Sequence, residues 1–258
     1  MVKMLKHRRK AEIYEYIKNS KVCSIDELKD TYNISISTLH RDLNELLQEG
    51  KINKSYGKVA VKVDQDFFNA RKNVNVDLKK SIAKKALEYV KDNDCLFLDN
   101  STTVYYFAEL LVRSSKKQIL VVSNSAFLSD LFLNTKNISY VSTGGVLNTD
   151  LNCYVGKHAL EVINDFNADR LFMSCSGLSV ANGISDIFIP DEQVIKSKMR
   201  EKSKETFLLV DSLKVGNDSV AKWFNLTDMN HIVTDDKVNQ GVAADLASMN
   251  CDVIVARV

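Results

Sequence analysis

The stretch Asp99-Asn100-Ser101-Thr102-Thr103 follows the apolar run CLFL and opens an apolar pattern of helical spacing that continues to residue 112. Hydroxyls at a helix start suit an anion, because the first amides of a helix lack partners and its N-terminus carries positive partial charge. Comparable stretches follow later apolar runs: SNS at 123–125, STGG at 142–145, SGLS at 176–179 and DSLKVG at 211–216. Hydroxyls, Asn124, Gly144, Gly145, Asp211 and Lys214 therefore recur at one edge, and the pattern predicts a polar pocket for an anion. Proton transfer there would need a general base, for which Asp186, Glu192 and Lys196 are candidates. Glu192 and Lys196 stand at i and i+4, which is also the spacing of an ordinary surface ion pair. Asp186 lies in NGISDIF, whose Asn and Gly read as a loop.

A second group of chemical residues lies near the N-terminus. Ser37, Thr38, His40 and Arg41 follow the turn NIS, in which Ser35 is placed to cap a helix. Hydroxyls and a forked cation suit phosphates and guanine edges. Lys51, Lys54 and Lys58 come next, in a segment that alternates around Gly57.

These groups need elements to position them. Residues 6–19 read as an amphipathic helix, and SIDELKDTYN opens with a capping box of Ser24 and Glu27. In the third helix Ile36, Leu39, Leu43 and Leu46 form the inward stripe, and Gly50 stops it. A leading helix, then helix, short turn and helix, is the helix-turn-helix plan, with the second helix of the pair in the major groove. The alternation around Gly57 predicts a two-stranded basic wing. Residues 1–62 thus form a winged helix-turn-helix domain, and 63–76 a partly helical connector with Phe67 and Phe68 packing on the body or on a second subunit. Asp77 caps the next helix.

From residue 77 to 258 short apolar runs alternate with helical patterns. The runs are CLFLD, QILVVS, ISYVS, RLFMSCSG, TFLLVD, HIVTD and CDVIVA. Apolar strands joined by helices call for a mostly parallel, Rossmann-like α/β sheet covered on both faces, with ligands beyond the carboxyl ends of its strands.

The net charge of +2 divides unevenly: residues 1–62 carry +5 and the remainder −3. A basic head on a mildly acidic body points to a polyanion partner for the head. The five cysteines are odd in number and scattered, which predicts buried free thiols rather than disulfides or a metal site. No apolar run approaches the length of a membrane span, so a cytoplasmic protein with no membrane partner is expected.

SISTLHRDLNELLQEGKI resembles the recognition helix of the DeoR family of bacterial transcription regulators, whose usual pattern is Ser-x-x-Thr-Ile-Arg-Arg-Asp-Leu followed by a Leu pair and Gly. Ser35, Thr38, Arg41, Asp42, Leu43 and Gly50 match, while His40 replaces the first Arg. The rest resembles that family's sensor half, similar in fold to ribose-5-phosphate isomerase and glucosamine-6-phosphate deaminase. Its marks stand here as Leu98-Asp99-Asn100-Ser101-Thr102-Thr103, Ser123-Asn124, Gly144-Gly145, Glu192 with Lys196, and Asp211-Ser212-Leu213-Lys214. Ser101 replaces the family glycine.

The resemblance implies a regulator, most simply a repressor of a carbohydrate-metabolism operon, whose affinity for double-stranded operator DNA follows a phosphorylated sugar-like or polyol effector. The effector phosphate is then expected at Ser101, Thr102 and Thr103 beside Asn100, with Lys214 adding charge. Asp99, Asn124 and Gly144-Gly145 hold hydroxyls, and Asp186, Glu192 and Lys196 complete the pocket. Ser35, Ser37, Thr38, His40, Arg41, Lys51, Lys54 and Lys58 face DNA. A homodimer or homotetramer is expected, associated with the nucleoid when operator-bound, with neither cofactor nor metal. The competing reading is a sugar-phosphate isomerase or deaminase with an accessory DNA-binding head.

Overall fold

Helix α1 (Lys6–Ser20) leads into strand β1 (Val22–Ser24) and helices α2 (Ile25–Tyr32) and α3 (Ile36–Gln48), followed by strands β2 (Ile52–Ser55) and β3 (Lys58–Val61). The computed structural model describes residues 6–20, 22–55, 57–61, 67–187, 189–249 and 251–258. The chain divides into two compact units, Met1–Asp64 and Gln65–Val258.

In the first unit the local signals act as their chemistry dictates. The Glu27 amide donates to Ser24 Oγ at 3.0 Å and the Ser24 amide to Glu27 Oε2 at 3.3 Å, closing the capping box. Asn33 takes a left-handed φ of 46° to end α2, Ser35 caps α3, and Gly50 turns the chain out of it at φ +67°. Ile13, Ile17, Leu28, Leu39, Leu43, Leu46 and Ile52 form the core. Ile36 leaves the expected stripe: it is 44% exposed, because the first turn of α3 extends beyond the packed part of the helix. The sheet has three strands in the order β1-β3-β2, one more than the two-stranded wing expected from the sequence. β1 is three residues long, too short to display a period.

Asp42 is fully buried, and Arg9 Nε donates to its Oδ2 at 2.6 Å, fastening α1 to α3. Removing one partner of a buried pair strands the other. Asp42→Ala is therefore expected to destabilise the first unit by about 3–5 kcal/mol, read in the full-length protein as lost hydrogen-exchange protection in α1 and α3. Unchanged protection would contradict the structural role of this pair.

The second unit begins with α4 (Phe67–Lys72) and α5 (Val76–Leu87), then β4 (Cys95–Leu98), α6 (Thr102–Val112), β5 (Ile119–Ser123), α7 (Ser129–Phe132) and β6 (Ile138–Ser142). It continues with β7 (Val146–Asn148), β8 (Cys153–Val155), α8 (Lys157–Asn164), β9 (Ala168–Met173), β10 (Gly177–Ser179), β11 (Gly183–Asp186) and α9 (Pro190–Glu201). The last elements are β12 (Ser203–Leu209), β13 (Ala221–Phe224), β14 (His231–Asp235), α10 (Gln240–Ala247) and β15 (Asp252–Ala256).

Seven strands pair in parallel in the order β15-β14-β12-β9-β4-β5-β6. Alternate residues feed two cores, one on each face: Leu96 and Leu98 pack with α5 and α6, while Phe97 packs with α8 and α9. β4 lies between β5 and β9, so the strand order reverses there and opens a crevice beyond the strand ends. Two small antiparallel additions, β7-β8 and β10-β11-β13, were not expected from the sequence.

Three placements correct the sequence reading. Asn75, at φ 55°, precedes α5, and Asp77 lies in its first turn, where a carboxylate favours the helix dipole without capping it. Asp186 ends strand β11 rather than lying in a loop; Gly183, at φ +81°, makes the turn that starts the strand. Of the connector, residues 67–72 are helical, and residues 62–66 lie outside the described residues. Phe68 packs on the body, stacked on Phe127 at 4.1 Å and edge-on to Tyr105 at 5.9 Å. No helix among the described residues is long and apolar enough to cross a membrane.

Candidate functional site

β4 delivers Asp99 into the crevice. Its Oδ1 accepts from the Ser101 amide at 2.9 Å and its Oδ2 from the Ser174 amide at 3.0 Å, where β9 ends. Lys196, from the inward face of α9, brings Nζ within 3.1 Å of Asp99, 3.2 Å of Glu192 and 3.6 Å of Asp186. The ammonium also donates to the Ser174 carbonyl at 3.3 Å and lies 5.1 Å from the centre of the Trp223 ring. Lys196 and Glu192 are 2% and 4% exposed, so the i, i+4 pair is a core element and not the surface pair its spacing allowed.

Burial alone would lower the Lys196 pKa, but Asp99, Glu192 and Asp186 outweigh it and hold the ammonium charged well above the usual lysine value. Glu192 moves upward because burial disfavours its anion, as do its neighbours Asp186 and Asp99, against the pull of Lys196. Asp186 is fixed by the Ser176 hydroxyl and the Ile187 amide.

A cavity of about 30 Å³ opens beside this cluster. Asn100, Ser101, Thr102, Asp186, Glu192 and Lys196 line it, as the sequence led us to expect, and Phe68, Arg71, Asp150, Leu151, Ser174 and Ile187 join them. Ser101 Oγ caps α6 by accepting from the Val104 amide at 3.3 Å, leaving its hydroxyl hydrogen to donate. Asn100 Oδ1 is buried with no hydrogen-bond partner among the described residues.

Other expected pocket residues do not line this cavity. Asp99 has both oxygens engaged by protein and is 0% exposed, so it orients Lys196 and the loop. Thr103 faces the interior of α6 at 1% exposure. Asn124 fastens β8 through its Nδ2 bond to the Tyr154 carbonyl and its carbonyl bond from the Tyr154 amide. Gly145 serves a close backbone approach: at φ +109° a Cβ would stand 2.8 Å from the Val155 carbonyl oxygen. Gly144 makes the same turn at φ +56°.

Lys214 lies behind the lining, donating to the Cys175 carbonyl at 2.9 Å. Burial lowers its pKa, and Arg71 adds to the effect. Lys79, 3% exposed on α5, is pushed down to about 8 by burial and then by Lys214 and Arg71. Three cations therefore press on one another next to the α6 start. The sequence reading missed Arg71 and Lys79. The signal for Lys79 was present, since it falls on the inward stripe of Ile82, Ala83 and Ala86.

On the first unit, Ser37 and Arg41 stand exposed on the N-terminal turns of α3, with Thr38 half-buried. Ser35 Oγ meets the Thr38 hydroxyl at 2.8 Å and the Ser37 hydroxyl at 3.1 Å. His40 Nδ1 lies 2.9 Å from Lys54 Nζ; an ammonium can only donate, so this nitrogen accepts. Lys51 pairs with Glu49 at 2.9 Å, and Lys58 is exposed at the start of β3.

Because Glu192 is raised, ionising it costs more in the fold than in the unfolded chain. Its contribution is complete below the usual glutamate value of 4.5 and is lost as pH rises through the elevated one. Glu192→Gln is expected to flatten that loss, so the mutant gains melting temperature relative to wild type as pH rises from about 5 to 8. Parallel melting curves across this range would contradict the raised carboxyl.

The geometry can be set beside known proteins. A DeoR-like helix-turn-helix domain matches residues 9–65 and a DeoR C terminal sensor domain matches residues 74–236. The uncharacterized HTH-type transcriptional regulator YulB of Bacillus subtilis is 33% identical over 235 residues, 90% of each chain. The L-fucose operon activator of Haemophilus influenzae is 31% identical over 228 residues, 86% of this chain and 89% of its own. Ribose 5-phosphate isomerase A from Methanocaldococcus jannaschii superposes with a TM-score of 0.41 at 18% identity over 54% of each chain, so this chain spans about half of that enzyme's length. The chain belongs to the DeoR family of transcriptional regulators, with a DNA-binding helix-turn-helix unit followed by a small-molecule sensor domain.

Proposed function

We propose that the protein is a repressor of a carbohydrate-metabolism operon whose hold on double-stranded operator DNA is set by a phosphorylated sugar or polyol. The observation that carries this reading is the composition of the cavity where β4 and β9 end. The start of α6, with Asn100, Ser101 and Thr102, meets Asp186, Glu192 and Lys196 across it, and Arg71, Lys79 and Lys214 stand beside it. The amides and cations suit a phosphate. Buried carboxylates and Asn100 suit the hydroxyls of a polyol chain. The relative that activates an L-fucose operon supports a carbohydrate setting, and activation and repression use the same linkage.

On the DNA side, Ser37, Thr38 and Arg41 read bases while Ser35, His40, Lys51, Lys54 and Lys58 serve the phosphate backbone. A homodimer or homotetramer, held in the cytoplasm, presents paired heads to a repeated site. An effector changes DNA affinity only by binding one arrangement more tightly than the other. One observation favours an enzyme instead: Glu192, a carboxyl raised by burial, borders the cavity as a general base would. Its contact with Lys196 and the attached DNA-binding unit favour sensing.

Thermal-shift screening of the full chain against sugar and polyol phosphates tests the effector class. At least one is expected to raise the melting temperature without being converted, and steady conversion would support the enzyme. On a DNA site selected by the protein from a random library, Arg41→Ala is expected to cost about 1–3 kcal/mol of binding and far less on scrambled DNA, by fluorescence anisotropy at fixed salt. Equal losses on both DNAs would remove Arg41 from base reading.

A further inference from the structure

The cavity of about 30 Å³ has room for only a water molecule or two. A sugar phosphate enters only if a wall moves. The walls differ in how they are held. The β4 and β9 ends are bonded within the sheet, and Asp99 ties them to each other. Lys196 holds α9 to both through Asp99 and the Ser174 carbonyl. The turn carrying Asp150 and Leu151 is closed by amide bonds to Asn148 Oδ1, 3.1 Å each, and by the Ala126 amide to the Asn152 carbonyl at 2.9 Å.

α4 is different. It is a single short helix of six residues, anchored by side chains: Phe68 on Phe127, Lys72 Nζ over the Tyr105 ring at 3.8 Å, and the Tyr106 hydroxyl donating to the Lys72 carbonyl at 3.1 Å. Lys79 Nζ donates to the Arg71 carbonyl. Side-chain anchors of this kind let a helix shift without breaking a sheet. α4 also begins three residues after the boundary between the two units, so it continues the segment that leads from the DNA-binding unit.

We propose that α4 is the movable wall of the effector cavity and that Arg71, carried on it, binds the anionic group of the effector, so that the segment leading to the DNA-binding unit is itself part of the sensor. This rests on the phosphorylated-effector reading above. Arg71 lines the cavity together with Ser101 and Thr102 at the α6 start. The mutual repulsion of Arg71, Lys79 and Lys214 is relieved by an anion placed among them. Asn100, 7% exposed and lining the same cavity, offers an oxygen with no partner among the described residues. A guanidinium gives such an anion two parallel donors, which an ammonium cannot. Occupancy then sets where α4 rests, and the DNA-binding unit receives that position through the chain.

The test uses the full chain and inorganic phosphate as the probe. Trp223, the one tryptophan, lies beside Lys196 and reports the cavity by fluorescence. Wild type is expected to give a saturable phosphate response, with slower hydrogen exchange of the amides at 67–72. Arg71→Ala is expected to weaken phosphate about tenfold, and Arg71→Lys to weaken it less. If Arg71→Ala and Arg71→Lys bind phosphate as wild type does and exchange at 67–72 is unmoved, the proposal is overturned. Weakening by Lys214→Ala in the same titration would then leave the phosphate reading standing. No saturable response from wild type would overturn the phosphate reading and this proposal together.

Discussion

A single buried ammonium organises the second unit. A lysine without partners would not remain charged at 2% exposure, because an unpaired charge in a protein interior costs far more than folding can offset. Lys196 is held by carboxylates from three elements and by a carbonyl from a fourth: Asp99 after β4, Asp186 at the end of β11, Glu192 on α9 and Ser174 after β9. These contacts pull the loops of the crevice into one polar wall. With three carboxylates around one cation, one carboxyl is pressed toward its neutral form, and Glu192 takes that role. Breaking any partner would expose the rest to uncompensated charge. The wall is therefore rigid, and motion on binding falls to the parts of the cavity it does not hold.

The large features of this arrangement were legible in the sequence. Seven apolar runs separated by helical patterns gave all seven parallel strands, because strands buried on both faces are apolar throughout. The capping box at Ser24 and the cap at Ser35 marked the helices of the first unit, since both devices are local. What escaped was short or tertiary. β1, β7, β8 and β10 have three residues each, too few to show alternation. The i, i+4 spacing of Glu192 and Lys196 is the same on a surface and in a core, and only the folded chain distinguishes them. Lys79 was readable as a cation on an apolar stripe. Arg71 was not, because its place beside the α6 start depends on how α4 folds back on Tyr105 and Phe127.

The two departures from the family pattern also gain physical content. Ser101 stands where the family has glycine, yet its φ of −74° and ψ of 154° are ordinary extended values, so a Cβ is tolerated without strain. Its hydroxyl caps α6 and thereby aligns the amides that face the cavity. His40 stands where an arginine is usual and meets Lys54 of the wing, joining α3 to β2 through a neutral ring nitrogen. In each case a side chain that breaks the pattern takes up a local bond.

The central claim is that effector and DNA are linked through one chain. Linkage requires each ligand to change the other's affinity by the same factor. The most direct measurement is a calorimetric titration of the intact protein with the sugar or polyol phosphate that stabilises it most, with and without the selected DNA site. The expected result is two different dissociation constants, whose ratio equals the change in DNA affinity that the same metabolite produces. Identical constants with and without DNA would contradict the claim.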